Sequence, residues 1–253
     1  MEVHTHSSPA PGGAHTARKK WTHYLWEFFM LFLAVTAGFF VENQREHIIE
    51  AKREKQYIVS QIRDVEMDIE SLKQASLSRE KSIIYFDSLV LLLKQKNKSS
   101  LNDIYFYARF LLRITQFNYH DRTIAQLKSS GSLRLIRNKK AGDSITIYDN
   151  EVIPRIIYQQ ALELQFRNNI VMNNNGKIFN PHVWNEMVDE TGAISPPTEN
   201  PDLITNDPTI INDFIMQVVT LKTAYRVANR VIKTSIKSAE NLITYLKKEY
   251  HLE

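Results

Sequence analysis

Residues 21–41, WTHYLWEFFMLFLAVTAGFFV, run straight into residues 42–74, ENQREHIIEAKREKQYIVSQIRDVEMDIESLKQ, with no proline and one glycine, Gly38. The first part is apolar enough for hydrocarbon and the second is charged and periodic, so the passage reads as one helix leaving a membrane. At ~1.5 Å per residue the apolar part reaches roughly 31 Å, the thickness of a bilayer core. Trp21, Tyr24 and Trp26 lie next to Arg18, Lys19 and Lys20, where amphipathic rings and cations favour the headgroup level. Glu27 is the one acid inside the run. It lies within reach of the headgroups and of His23 one turn earlier, which makes it an interface residue, with an intramembrane proton or ion site as the alternative. Ala34 and Gly38 have the small-xxx-small spacing that lets two spanning helices approach closely, and mark a candidate transmembrane dimer contact.

Lys19 and Lys20 abut the run, whereas the first cation beyond it, Arg45, is interleaved with Glu42 and Glu46. Basic residues near a span favour the cytoplasmic side. The N-terminus is therefore predicted inside a bacterial inner membrane, with residues 42–253 exported. A cleaved signal peptide competes, with Val35-Thr36-Ala37 as its exit. Gly38-Phe39-Phe40-Val41 keeps the run apolar past that cut, which favours an anchor.

Beyond the span, Val41, Ile48, Ala51, Ile58, Ile62, Val65, Ile69, Leu72, Ile83, Phe86, Val90 and Leu93 recur at helical spacing. Gln44, Lys55, Ser76 and Arg79 are defects in that register. A stalk helix over 42–98 that changes partners along its length fits both facts. Residues 99–172 read as a bundle region. Ser99, Ser100 or Asn102 can cap its first helix, another runs from Asp121 or Thr123 to Gly131, and a third from Asn138–Asp143 to about Met172 is kinked or split at Pro154. Residues 173–207 hold four of the eight prolines and an Asn-Asn-Asn-Gly run, and read as an irregular loop with one docked turn at Val183, Trp184 and Met187. Asp207 then caps, and Pro208 opens, a long helix over 208–253. Residues 1–20 read as a disordered basic head. The predicted architecture is all-α: a transmembrane helix continuing into a stalk, packed in an extended antiparallel bundle.

Chemistry is poorly signalled. The absence of cysteine excludes disulfides and thiolate catalysis without choosing a compartment, and seven glycines, two of them in the head, leave little for phosphate loops. No two of the eight histidines stand at i, i+4, and His120-Asp121, before a helix start, reads as a cap rather than a catalytic pair. No catalytic, cofactor-binding or metal-binding residues are predicted. Two acid-free basic stretches stand out against a net charge of +4: Arg122, Lys128, Arg134, Arg137, Lys139 and Lys140, and the helical stripe Lys222, Arg226, Arg230, Lys233 and Lys237. They read as an anion or partner surface, or as the intramolecular complement of acids on the first helix. In the second case a register with Leu246 near Ile48 sets Arg226 beside Asp68 and Arg230 beside Asp64.

His23-Tyr24-Leu25-Trp26-Glu27-Phe28 through Gly38-Phe39, then Arg53-Glu54-Lys55-Gln56-Tyr57, resembles the start of uncharacterised bacterial single-pass membrane proteins. Thr123 to Asn138, with Leu127-Lys128-Ser129-Ser130-Gly131 and Leu133, Leu135, Ile136 and Asn138, is similar to the LKSSG.L.LI.N signature of such domain-of-unknown-function proteins. That resemblance implies a family and no activity. Read physically, the signature is a structural corner, with a ligand pocket using Ser129, Ser130 and Arg134 as the alternative. The sequence is thus expected to be a membrane-anchored interaction or scaffold protein of the bacterial envelope. Its expected partners are the lipid bilayer and either a second copy or an envelope protein. Nucleic acid is not expected, and no catalysis is. A ligand-sensing bundle is one rival; an anionic-lipid or nucleic-acid binder, given a cytoplasmic C-terminal region, is another.

Overall fold

The computed structural model describes residues 18–95, 100–114 and 116–252; of the head predicted over 1–20, residues 1–17 lie outside them. Helix α1 spans Arg18–Lys94, so it takes in three residues assigned to the head by sequence. Two compact units separate at Arg53–Glu54.

In the first unit, residues 21–49 are exposed on every face of α1. This is a helix long and apolar enough to cross a membrane. His23 Nδ1 lies 3.2 Å from Glu27 Oε1, the i, i+4 pair that its spacing predicts. Past the apolar run, Arg45 holds Glu42 through two hydrogen bonds of 2.9 and 2.5 Å.

The second unit is an all-α bundle of α1 from Glu54 onward, α2 (Leu101–Arg109), α3 (Arg122–Ser129), α4 (Lys139–Ile147), α5 (Ile153–Ile170), α6 (Gly176–Ile178), α7 (Pro181–Glu186) and α8 (Pro208–Glu249). Local chemistry starts these helices where expected. Ser100 Oγ accepts the Asp103 N–H, Asn138 Oδ1 the Ala141 N–H and Asp207 Oδ1 the Thr209 N–H. Gly131 ends the α3 region at φ 65°, a left-handed position that glycine takes without strain. Pro154 neither breaks nor splits its helix. A π turn at Tyr148–Val152 widens the backbone just ahead of it, where a proline ring and its missing N–H would disrupt an ordinary α turn, so α4 and α5 follow one another without a loop.

Helix α8 runs antiparallel to α1, as Asp87–Lys222, Glu80–Lys233, Glu66–Lys247 and Glu54–Tyr250 fix. Three stripe cations, Lys222, Arg226 and Lys233, do meet acids of α1, but these are Asp87 and Glu80, several turns away from the predicted partners. Asp64 faces Arg122 and Asp68 faces His120, leaving neither for Arg230 or Arg226. The spacing of each row is the same in every register, so the stripes alone could not choose; the apolar faces do. Those faces form two cores. One joins Ile58–Ala75 of α1 to Ile232–Leu246 of α8 and Ile145–Ile156; the other joins Phe86–Leu93 to α2, Ile170 and Ile211–Tyr225.

The segment 173–207 is better packed than its composition suggests. A second π turn and α6 carry helical backbone to Ile178, and Ile178, Phe179, Met187 and Leu203 are buried. Tyr105 Oη ties both sides together, accepting the Asn180 N–H at 2.8 Å and donating to Asp202 O at 3.2 Å.

Candidate functional site

The two basic stretches occupy different surroundings. In the first, Arg122 donates to Asp64 at 2.9 Å, Lys128 bonds Asp149, and Arg137 donates its backbone N–H to Glu54 at 2.8 Å. Arg134, Lys139 and Lys140 are exposed on the surface. In the second, Lys222 and Arg226 share Asp87 at 2.5 and 3.7 Å, and Lys233 lies 3.3 Å from Glu80. Arg230 and Lys237 are exposed and join no ion pair among the described residues. They border an open groove of about 540 Å³ between α1 and α8 with Glu80, Ile83, Arg226, Asn229, Lys233 and Thr234. Three of the five stripe cations are thus engaged inside the molecule. Ala34 and Gly38 are exposed in the first unit, with open space over Gly38.

The LKSSG corner is held by its own hydroxyls. Ser130 Oγ donates to Gln126 O at 2.7 Å and accepts the Ser132 N–H, and Ser129 Oγ donates to Gln126 O at 3.2 Å, so both serines close the end of α3. Ile136 inserts into the core, Leu133 packs on it half-buried, and Asn138 restarts the chain as α4.

What sequence reading missed is the chemistry of the interior. Arg79, a defect in the apolar register, is buried and grips Glu163 through two hydrogen bonds of 2.8 and 2.9 Å, while donating to Ala75 O at 3.1 Å. One turn along α5, Arg167 donates to Leu111 O at 2.8 Å, to Arg113 O at 2.6 Å and to the Tyr225 hydroxyl. These groups, with Ser76 and Asn229, form a polar layer between the two cores. Burial holds the Glu163 carboxyl above its ordinary value despite the Arg79 guanidinium. A signal did exist: Glu163 and Arg167 stand at i, i+4 as the only charges between Arg155 and Lys177.

A second interior set lies along α1. His120-Asp121 is not the working pair; His120 Nδ1 and its backbone N–H both meet Asp68 Oδ1 at 2.9 Å, and Tyr148 Oη donates to the other oxygen at 3.0 Å. Asp121 caps nothing with its side chain. The start of α3 is capped from a distance, by Asp64 accepting the Thr123 N–H at 2.9 Å. Further along, Ser71 Oγ accepts the Asn118 N–H and Gln160 Oε1 the Phe117 N–H. Side chains of α1 and α5 therefore satisfy the backbone of the irregular stretch before α3, as a neighbouring strand would in a sheet. Burial raises the Asp68 carboxyl against the pull of its three donors. No group of three or more His, Asp and Glu side chains converges among the described residues in a way that could hold a metal.

Comparison with the profiles of known protein families, with curated proteins and with solved structures gives no match.

Proposed function

We propose that this chain is a membrane-anchored helical interaction protein, a scaffold or accessory subunit of the bacterial envelope, inserted through Trp21–Val41 with residues 42–253 exported. The observation that carries the reading is the use of the interior: Glu54, Asp64, Asp68 and Glu163 are all buried, and each is engaged by the protein's own backbone, hydroxyls or arginines. Their arrangement supports holding a shape, and the exposed surface is left for recognition. Mild detergent extraction should bring out a second, different protein with the chain. Recovery without any other protein would overturn the scaffold reading. A reporter fused after Glu253 tests sidedness, and a cytoplasmic signal would overturn export.

A second reading follows from Arg230 and Lys237, which border the α1/α8 groove without acidic partners: an anionic headgroup or phosphate could lie there. It requires salt-sensitive retention on phosphatidylglycerol vesicles or polynucleotide that Arg230→Glu with Lys237→Glu abolishes.

A further inference from the structure

Helix α5 presents an unusual outer face. Ile157, Ala161, Leu164 and Asn168, continued by Val171, are all exposed and follow one another at spacings of 4, 3, 4 and 3. That is the seam of a coiled coil. Tyr158, Gln165 and Met172 flank it, with Tyr158 61% and Met172 84% exposed. Between Arg155 and Lys177 the only charges, Glu163 and Arg167, point into the core. On another side of α5, Leu162 and Phe166 line a separate apolar groove with Val219, Thr223, Ala224 and Val227 of α8. In a chain with 24% charged residues, such depletion marks the centre of an interface rather than a solvated helix.

We infer that this face of α5 is the self-association surface of the protein, on which a second copy docks with its own α5 parallel and in register. A two-fold axis along the seam sets each of these residues against its own copy, so the pairing is self-complementary and needs no other surface. Its exposed apolar side chains offer on the order of 600 Å², and with Ala161, Gln165 and Asn168 approach the ~800 Å² per partner of a standard interface. Asn168 chooses the direction. In a parallel pair the two Asn168 carboxamides face and hydrogen-bond each other, whereas an antiparallel pair centred on Leu164 sets each against the Ala161 methyl with no partner. The other exposed stripe, Leu77, Ile84 and Leu91 of α1, is unsuited to the same pairing, because Glu80 and Asp87 would oppose their own copies across it.

The inference rests on the interaction reading above but fails separately from it, because it concerns two copies and no other protein. The natural absence of cysteine makes the test direct. Single substitutions Ile157→Cys, Ala161→Cys, Asn168→Cys, Ile84→Cys and Asp189→Cys are made in the full chain, held in detergent or nanodiscs and treated with copper phenanthroline. Cross-linked dimer is expected from Ile157→Cys, Ala161→Cys and Asn168→Cys, and not from Ile84→Cys or Asp189→Cys. Adding Leu164→Glu should cut the Asn168→Cys product by on the order of tenfold or more, with helical circular dichroism unchanged. Monomer at all three seam positions would overturn the inference. So would dimer through Ile84→Cys alone, or a seam covered by a different protein that blocks cross-linking.

Discussion

At the scale of single residues, the bundle depends on acids of one helix acting on backbone that is far away in sequence. Asp68 satisfies three donors at once, so Asp68→Ala strands the His120 N–H and the Tyr148 hydroxyl in the interior. We expect a loss of about 3 kcal/mol or more, and about half that for Asp68→Asn, which keeps one acceptor oxygen; chemical denaturation measures both, and equal losses would deny the acceptor role. Glu163→Gln leaves the Arg79 guanidinium buried without its countercharge, for an expected loss of about 3–5 kcal/mol. The paired change Arg79→Met with Glu163→Leu should recover most of it, since an apolar pair of similar volume escapes the desolvation of two ions. A double variant as unstable as Glu163→Gln would contradict that account. Residue-level legibility was uneven for a physical reason. Asn138 and Asp207 cap the helices that follow them in sequence and could be read; Asp64 and Asp68 cap across tens of residues, and nothing local distinguishes them from the exposed Glu66 and Glu70.

At the scale of elements, glycine and charge make separable statements. Gly131 has open space around its Cβ position, so Gly131→Ala meets no atom and should cost only the backbone strain of a left-handed turn, about 1 kcal/mol. A thermal melt shifted by a much larger amount would mean that other atoms pack against the corner. The antiparallel register is tested by Lys247 and Glu66, 2.9 Å apart and each nearly half exposed. Lys247→Glu should destabilise by a few tenths of a kcal/mol, and combination with Glu66→Lys should restore it, a small coupling because solvent screens the pair. No coupling is expected between Arg230 and Asp64. The helices themselves were legible from periodicity, breakers and caps. Their offset was not, because i, i+4 charge rows match after any whole number of turns, and the continuous backbone around Pro154 depends on a π turn that has no sequence signature.

At the scale of the whole molecule, ionisation should reveal how the two cores depend on one another. Burial is the main cause that holds the phenols of Tyr119, Tyr148, Tyr225 and Tyr250 above their ordinary range, reinforced by Asp149, Asp68 and Glu54 for Tyr119, Tyr148 and Tyr250 respectively. Unfolded, these groups lose their protons near pH 10; folded, they keep them beyond it. Their stabilisation is therefore intact below about pH 10 and is lost as the pH climbs above it. Tyrosinate absorbance from these four phenols should rise only together with loss of helical circular dichroism. Ionisation of Tyr119, Tyr148, Tyr225 and Tyr250 with the helices intact would refute it.

The pairing of α1 with α8 also sets a timetable. In a chain made from the N-terminus, the face of α1 that carries Ile58, Ile62, Val65 and Leu72 is complete long before the last helix exists to cover it. At ~5–20 residues per second, on the order of 10 to 30 s pass between synthesis of Lys94 and of Glu249. Through that interval the part of this face that Ile232, Ala239, Leu242 and Leu246 cover in the finished fold stays bare, and a helper that shields helices during biogenesis has its window there.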